Sequence, residues 1–197
     1  MVCPSSSRSR GNTDAMERLR IQSGTSLFYP VASMGAHINA QHREWRKIPF
    51  KTRGDVAMAG TFGYELDLTK MSDEEKDTAI RLNAAYHRYH DTISEGDYYR
   101  LSDVFADTPV AAWCAVSKDK SQAVLTVVRR ECRGYIFTQP KFRIPGLETG
   151  ANYRLYLDGE KTELVYPADV LESYGLWTLE LEWADCTSKV YLLEKEA

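Results

Sequence analysis

The chain has 197 residues, with 25 Lys and Arg against 28 Asp and Glu for a formal net charge of −3. So small a charge argues against a nucleic-acid surface as the main purpose, and 43% hydrophobic with 11% aromatic residues supply a core that a disordered chain would lack. The longest apolar run, Val110 to Val116, falls far short of the roughly 20 residues that cross a bilayer, so no membrane is expected as a partner. Residues 1–11 are rich in Ser and Arg, with neither periodicity nor an apolar segment, and read as a disordered tail rather than a secretory signal. Order is expected from Asn12-Thr13-Asp14, where Asn or Thr caps a short helix through Met16, Leu19 and Ile21 that Gly24 stops. The apolar run Ser26 to Val31 then suits a buried parallel strand, and the aperiodic stretch from Ser33 to Arg53 a long loop.

Gly54 to Leu68 is rich in small and apolar residues, with three glycines, and suggests a closely packed strand and strand-to-helix loop. Ser72-Asp73-Glu74-Glu75 is a capping box, and the helix behind it carries Ala79, Leu82, Tyr86, Tyr89 and Ile93 on one stripe. Ser94 to Asp97 ends that helix, and the texture then changes to short strand-like runs. These are Trp113–Val116, Ala123–Arg129, Tyr135–Thr138, Tyr153–Leu157, Leu164–Tyr166, Leu176–Trp183 and Lys189–Leu193. Asp158-Gly159 is the sharpest turn signal between them, because both residues tolerate the positive φ of a type I′ turn. The expected fold is therefore an α/β part to about residue 97 followed by an all-β antiparallel sandwich. Two parallel strands close no sheet, so the α/β part reads as the end of something larger.

The side chains that carry chemistry are sparse. Four cysteines, Cys3, Cys114, Cys132 and Cys186, form no Cys-x-x-Cys pair and fit reduced structural thiols in a cytoplasmic protein. His87 and His90 share a helix face without a further ligand and read as solvated, while His37 and His42 lie in the long loop with no visible partner. No metal or cofactor is expected, and no phosphate loop or Gly-x-Ser-x-Gly elbow is present. Asp14, Glu17, Glu65 and Asp67 are the acidic residues near strand ends, but spacing singles out no pair of the kind that glycoside hydrolysis uses.

Several consecutive stretches nevertheless resemble one family. Asn12 to Gln22, Gly24 to Pro30, Ser33 to His37 and Thr52 to Asp67 look like the late barrel of the bacterial α-galactosidases of glycoside hydrolase family 36 (melibiase type). Gly96 to Leu101, Ser117 to Ser121 and Ser188 to Leu193 resemble that family's C-terminal domain. The resemblance runs from residue 12 to 197, and it implies that residues 12–97 are the C-terminal portion of a (β/α)₈ catalytic barrel and 98–197 its antiparallel β-sandwich. It further implies hydrolysis of terminal α-galactosides such as melibiose and raffinose, with retention, by two aspartates and no metal or other cofactor. The family's nucleophile lies in a Lys-x-Asp motif that this chain does not contain. Its acid/base lies in Trp-x-Ser-Asp-Asn-Thr-Asp-Ala, whose Ser-Asp falls on Arg10 and Gly11 and whose Trp falls on Ser7 or Arg8. Asp14 matches the motif's second aspartate, a supporting residue. The expectation is an inactive C-terminal fragment of such an enzyme, its match lost before Asn12 through truncation or a frame error. The alternatives are a non-catalytic carbohydrate-binding or assembly module, and a piece that complements a separate N-terminal half. Homo-oligomers, common in the family, carry over as an expectation.

Overall fold

The computed structural model describes residues 13–40, 47–133 and 139–196. Several expectations from the sequence fall outside them: the tail 1–11 with its Gly11, the candidate cap Asn12, the loop histidine His42, and the strand Tyr135–Thr138. Helix α1 (Ala15–Thr25) is capped one residue later than the sequence suggests, by Asp14, whose carboxylate accepts the Glu17 amide at 2.9 Å. The chain then turns, and the run expected as a buried strand leaves Leu27, Phe28 and Tyr29 exposed by 56%, 83% and 55%. The parallel strand lies further on, at β1 (Gly35–Asn39), inside the expected loop. That stretch also holds the start of helix α2 (Phe50–Ala57), which reaches through Gly54 into the next expected strand. Strand β2 (Thr61–Glu65) follows and pairs in parallel with β1, from Gly35↔Thr61 to Asn39↔Glu65.

Helix α3 (Asp73–Glu95) begins at the expected capping box, with the Ser72 hydroxyl accepting from the Glu75 amide and the Glu75 carboxylate accepting from the Ser72 amide, both at 3.1 Å. Its stripe buries Leu82, Tyr89 and Ile93, with Ala79 and Tyr86 half-buried. Tyr86 also occupies one amide on the free edge of β2, because its hydroxyl accepts from the Phe62 amide at 3.3 Å and donates to the Gly60 carbonyl at 3.2 Å. An edge amide that would otherwise invite another strand is thereby occupied.

The remaining chain builds a six-stranded antiparallel sheet from β3 (Asp97–Arg100), β4 (Val110–Val116), β5 (Gln122–Arg129), β7 (Asn152–Leu157), β8 (Glu160–Pro167) and β10 (Thr187–Lys195). Their order is β3-β4-β5-β10-β7-β8, so the last strand in sequence sits at the middle of the sheet. A second layer consists of the pair β6 (Lys141–Phe142) with β9 (Leu176–Trp177) and the short helix α4 (Ala168–Ser173). Only the first two residues of the expected strand 176–183 are extended; the rest turns, with Leu181 donating its amide to Thr178. The expected turn between β7 and β8 forms with φ of 49° at Asp158 and 91° at Gly159.

Both faces of the sheet are covered, which explains why β4 and β5 read as continuous apolar runs rather than alternating ones. Cys114, Leu125, Val127, Tyr191 and Leu193 face the second layer and meet Ile144, Leu171 and Leu176. The opposite face presents Ala115, Val124, Val190 and Leu192 to α2 and α3, and Ala111, Trp113 and Val128 to α1. The helices of the N-terminal part are therefore bound to the sheet by a shared core. Each fully buried Leu or Val in it contributes about 1.5–3 kcal/mol.

Candidate functional site

Chemistry on parallel strands gathers where their C-terminal ends meet the following loops. At the end of β1 the structure has a small hollow bounded by Thr13, Asp14, Arg18, His37, Asn39 and Arg53. Arg18, 3% exposed, donates from Nη2 to Asn39 Oδ1 at 3.2 Å. Arg53 donates from Nη1 to the Asn39 carbonyl at 2.8 Å and from Nη2 to Glu75 Oε1 at 3.0 Å. Asn39 is thus fixed from both sides, by one arginine on α1 and another on α2. Burial lowers the pKa of both guanidiniums, against the partial offsets of Glu65 at Arg18 and Glu75 at Arg53. They remain cationic regardless, since an arginine pKa starts above about 12.

Asp14 is the one carboxylate among the described residues that bound the hollow, and its Oδ1 is engaged as the α1 cap. His37 lies on the same wall, and its ring lies over Gly63 of the paired strand, where a Cβ would come within 2.7 Å of ring carbon Cδ2. The glycine-rich expectation for 54–68 has its cause in such contacts. The hollow encloses about 20 Å³, the space of one water molecule, whereas sugar-sized ligands occupy roughly 300 Å³ or more.

The other expected groups behave as ordinary side chains. His87 and His90 are exposed on α3, with His90 Nδ1 2.8 Å from Asp91 Oδ1. No group of His, Cys, Asp or Glu among the described residues has metal-holding geometry. Cys114, Cys132 and Cys186 are free thiols, and burial pushes Cys114 up to about 12, so it carries no thiolate near neutral pH. Cys3 lies outside the described residues, and no described helix is long and apolar enough to cross a membrane.

Sequence reasoning missed a second polar cluster, which ties α2 to the sheet. Lys51 Nζ lies 2.6 Å from Asp55 Oδ2 and 2.9 Å from Asp158 Oδ1, and Lys189 Nζ lies 2.8 Å from Asp158 Oδ2. Ser188 donates to Asp55 Oδ2 at 2.7 Å, and the Val190 amide to Asp158 Oδ1 at 3.1 Å. Burial pushes the Asp55 carboxyl up despite Lys51 beside it. At Asp158 burial acts in the same direction but is outweighed by Lys51, Lys189 and the Val190 amide, which hold it below the usual carboxylate range. The available signal was Asp55 itself, a lone charge among the small and apolar residues Gly54 to Ala59, which must find a partner to be buried. Above this cluster opens a cleft of about 400 Å³.

Comparison with known proteins adds a family pattern. Residues 3–96 match the family Melibiase, and residues 110–193 match the family Glycosyl hydrolase family 36 C-terminal domain. The first match reaches back to residue 3, so the likeness is not lost at Asn12 as the sequence suggested. The chain is 52% identical over 120 residues to the bifunctional alpha-galactosidase/sucrose kinase AgaSK of Mediterraneibacter gnavus, covering 60% of this chain and 13% of that protein. It is 38% identical over 182 residues to alpha-galactosidase Mel36A of Lactobacillus acidophilus, covering 91% of this chain and 24% of the relative. Among solved structures, a variant of alpha-galactosidase AgaA from Geobacillus stearothermophilus in complex with raffinose superposes with a TM-score of 0.83 at 37% identity, covering 94% of this chain and 25% of that one. The chain thus spans a quarter or less of the length of these relatives.

Proposed function

The chain belongs to glycoside hydrolase family 36, the melibiase-type α-galactosidases, and from that premise we propose that it serves as the C-terminal part of an enzyme that removes terminal α-galactosyl groups with retention. In this reading residues 12–97 are the last strands and helices of a (β/α)₈ barrel, and 98–197 are the β-domain that buttresses them. The hollow at the end of β1 is the part of the galactoside pocket that this chain contributes. Melibiose and raffinose are the substrate class of the completed enzyme.

The observation that carries the reading is the hollow itself: one carboxylate, two arginines and room for a single water at the C-terminal end of a parallel pair. Retaining hydrolysis needs two carboxyl groups about 5 Å apart across the scissile bond, with a sugar between them. Asp14 is a positioning residue here: it caps α1 and so fixes Arg18, which orients Asn39. The chain by itself is inactive in this account, because it holds no Lys-x-Asp nucleophile motif and Gly11 stands at the matched acid/base position.

A complementing role is favoured over a free-standing binding module by the exposed run Leu27, Phe28 and Tyr29, three consecutive large apolar side chains left for a partner to cover. Co-expression with the preceding barrel segment of a family 36 relative tests the reading. Recovery of hydrolysis of a chromogenic α-galactoside, absent from either piece alone, supports it. A soluble, stable complex without activity counts against the catalytic part.

A further inference from the structure

The 400 Å³ cleft above the Lys51–Asp158 cluster shares no bounding residue with the hollow at β1, and its volume lies within the range of small-molecule sites, about 300–1,000 Å³. Its floor holds a buried carboxylate with unused capacity. Asp55 is 1% exposed, and every bond it accepts from the described residues goes to Oδ2: Lys51 at 2.6 Å and Ser188 at 2.7 Å. Oδ1 accepts none, in a side chain that bounds the cleft. Oδ1 is not one of the sealed polar atoms that lack a partner, so it opens onto the cleft, where a ligand can donate to it.

The donor that Oδ1 can still accept from is not a cation. Lys51 Nζ already occupies the position between Asp55 and Asp158, within 3 Å of each, and Lys189 neutralises the far side of Asp158. The floor therefore has two cations for two carboxylates, and a further charge would be desolvated without gain. A hydroxyl, by contrast, donates to Oδ1 and adds no charge. The walls agree: the part-exposed Ala85 and the Thr78 methyl offer an apolar surface, while Arg81 and Glu160 at the exposed rim supply a donor and an acceptor. Apolar carbon faces edged with hydroxyls are the signature of cyclic polyols and monosaccharides.

We propose that this cleft binds a neutral polyhydroxylated molecule of monosaccharide size, with a ligand hydroxyl donating to Asp55 Oδ1 and a carbon face against Ala85. This inference goes beyond the enzymatic reading and does not depend on it. Burial raises the Asp55 carboxyl, which is the condition of many ligand-facing carboxyl groups in clefts.

Saturation-transfer NMR on the full chain tests it, with D-galactose and D-glucose as probes, putrescine as a cationic control, and Ala85→Trp to fill the cleft from α3. The expected result is transfer from at least one sugar that drops fivefold or more in Ala85→Trp while the melting temperature holds, and that drops similarly in Asp55→Asn. No transfer from either sugar overturns the proposal, as does transfer unchanged in Ala85→Trp. Binding of putrescine in preference to both sugars overturns the neutral class. None of these outcomes bears on galactoside hydrolysis, which is read separately.

Discussion

Lys51 on α2 and Asp158 in the β7–β8 turn meet at 2.9 Å, joining residues more than a hundred positions apart and bringing the N-terminal helices onto the sheet. The same turn is held from α3, where Arg88 donates from Nη1 to the Gly159 carbonyl at 3.3 Å and pairs with Glu194 at 2.9 Å. The helices and the sheet are therefore fastened by polar contacts at one end and by the shared apolar core along their length.

Asp158→Asn separates charge from turn geometry, because Asn keeps the positive φ while losing the ion pairs. The side chain is 27% exposed, so the expected loss at neutral pH is about 1–2 kcal/mol, between surface and buried pairs. The Asp158 carboxyl is held below its unfolded value, so its stabilisation is present above about pH 4 and vanishes as pH falls through the folded value. Urea unfolding across pH is expected to show wild type and variant converging in acid. A gap that persists at low pH contradicts the assignment. Asp55 has the opposite sign: its raised carboxyl costs stability as pH rises through its folded value.

Tyr89 buries its hydroxyl without a hydrogen-bond partner among the described residues, at 1% exposure, and burial pushes its pKa up to about 12. Tyr89→Phe removes the unpaired group and keeps the ring against the sheet. An increase in stability of about 1 kcal/mol is expected in thermal or chemical unfolding. A loss of similar size would mean that the hydroxyl has a partner, such as a bound water, that matters.

The sequence was informative where one physical rule acted alone. The α3 stripe and its capping box are local in origin, and so is the Asp158-Gly159 turn. The central strands announced themselves by apolar runs because both faces of the sheet are covered. Ser26 to Val31 misled for the complementary reason: apolarity says that a segment needs a cover, not that this chain supplies one. β1 hid because Gly-Ala-His-Ile-Asn buries only small and polar groups beside Ile38, with Asn39 saturated by two distant arginines. The Lys51–Asp55–Asp158 cluster was illegible for the same cause, since its members are brought together only by the tertiary fold. Asp14 was legible as a motif position, but its capping role needed the helix start.

Gly63 admits the His37 ring across the parallel pair, with a substituted Cβ 2.7 Å from Cδ2. Gly63→Ala is expected to cost about 1–3 kcal/mol through overpacking and to displace His37 toward the hollow. The His37 ring proton shifts in NMR report the displacement directly. Unchanged shifts with full stability would show that the strands have slack at this point.

At Asp14, two substitutions divide structure from chemistry. Asn caps helices as well as Asp, so Asp14→Asn is expected to keep thermal stability, whereas Asp14→Ala loses about 1 kcal/mol. In a completed enzyme, reduced kcat with Asp14→Asn at unchanged stability would assign the charge a part in orienting Arg18 and Asn39. Loss of kcat only with Asp14→Ala would assign the residue to the cap alone.

The central claim is that this chain contributes one wall of a galactoside site and not the whole of it. The most direct measurement is hydrolysis of a chromogenic α-galactoside by the chain alone, verified as folded by circular dichroism, against a buffer blank. The account predicts no turnover above the blank. Clear turnover would contradict it, by showing that carboxylates within this chain suffice, and Asp14 would be the first of them to substitute.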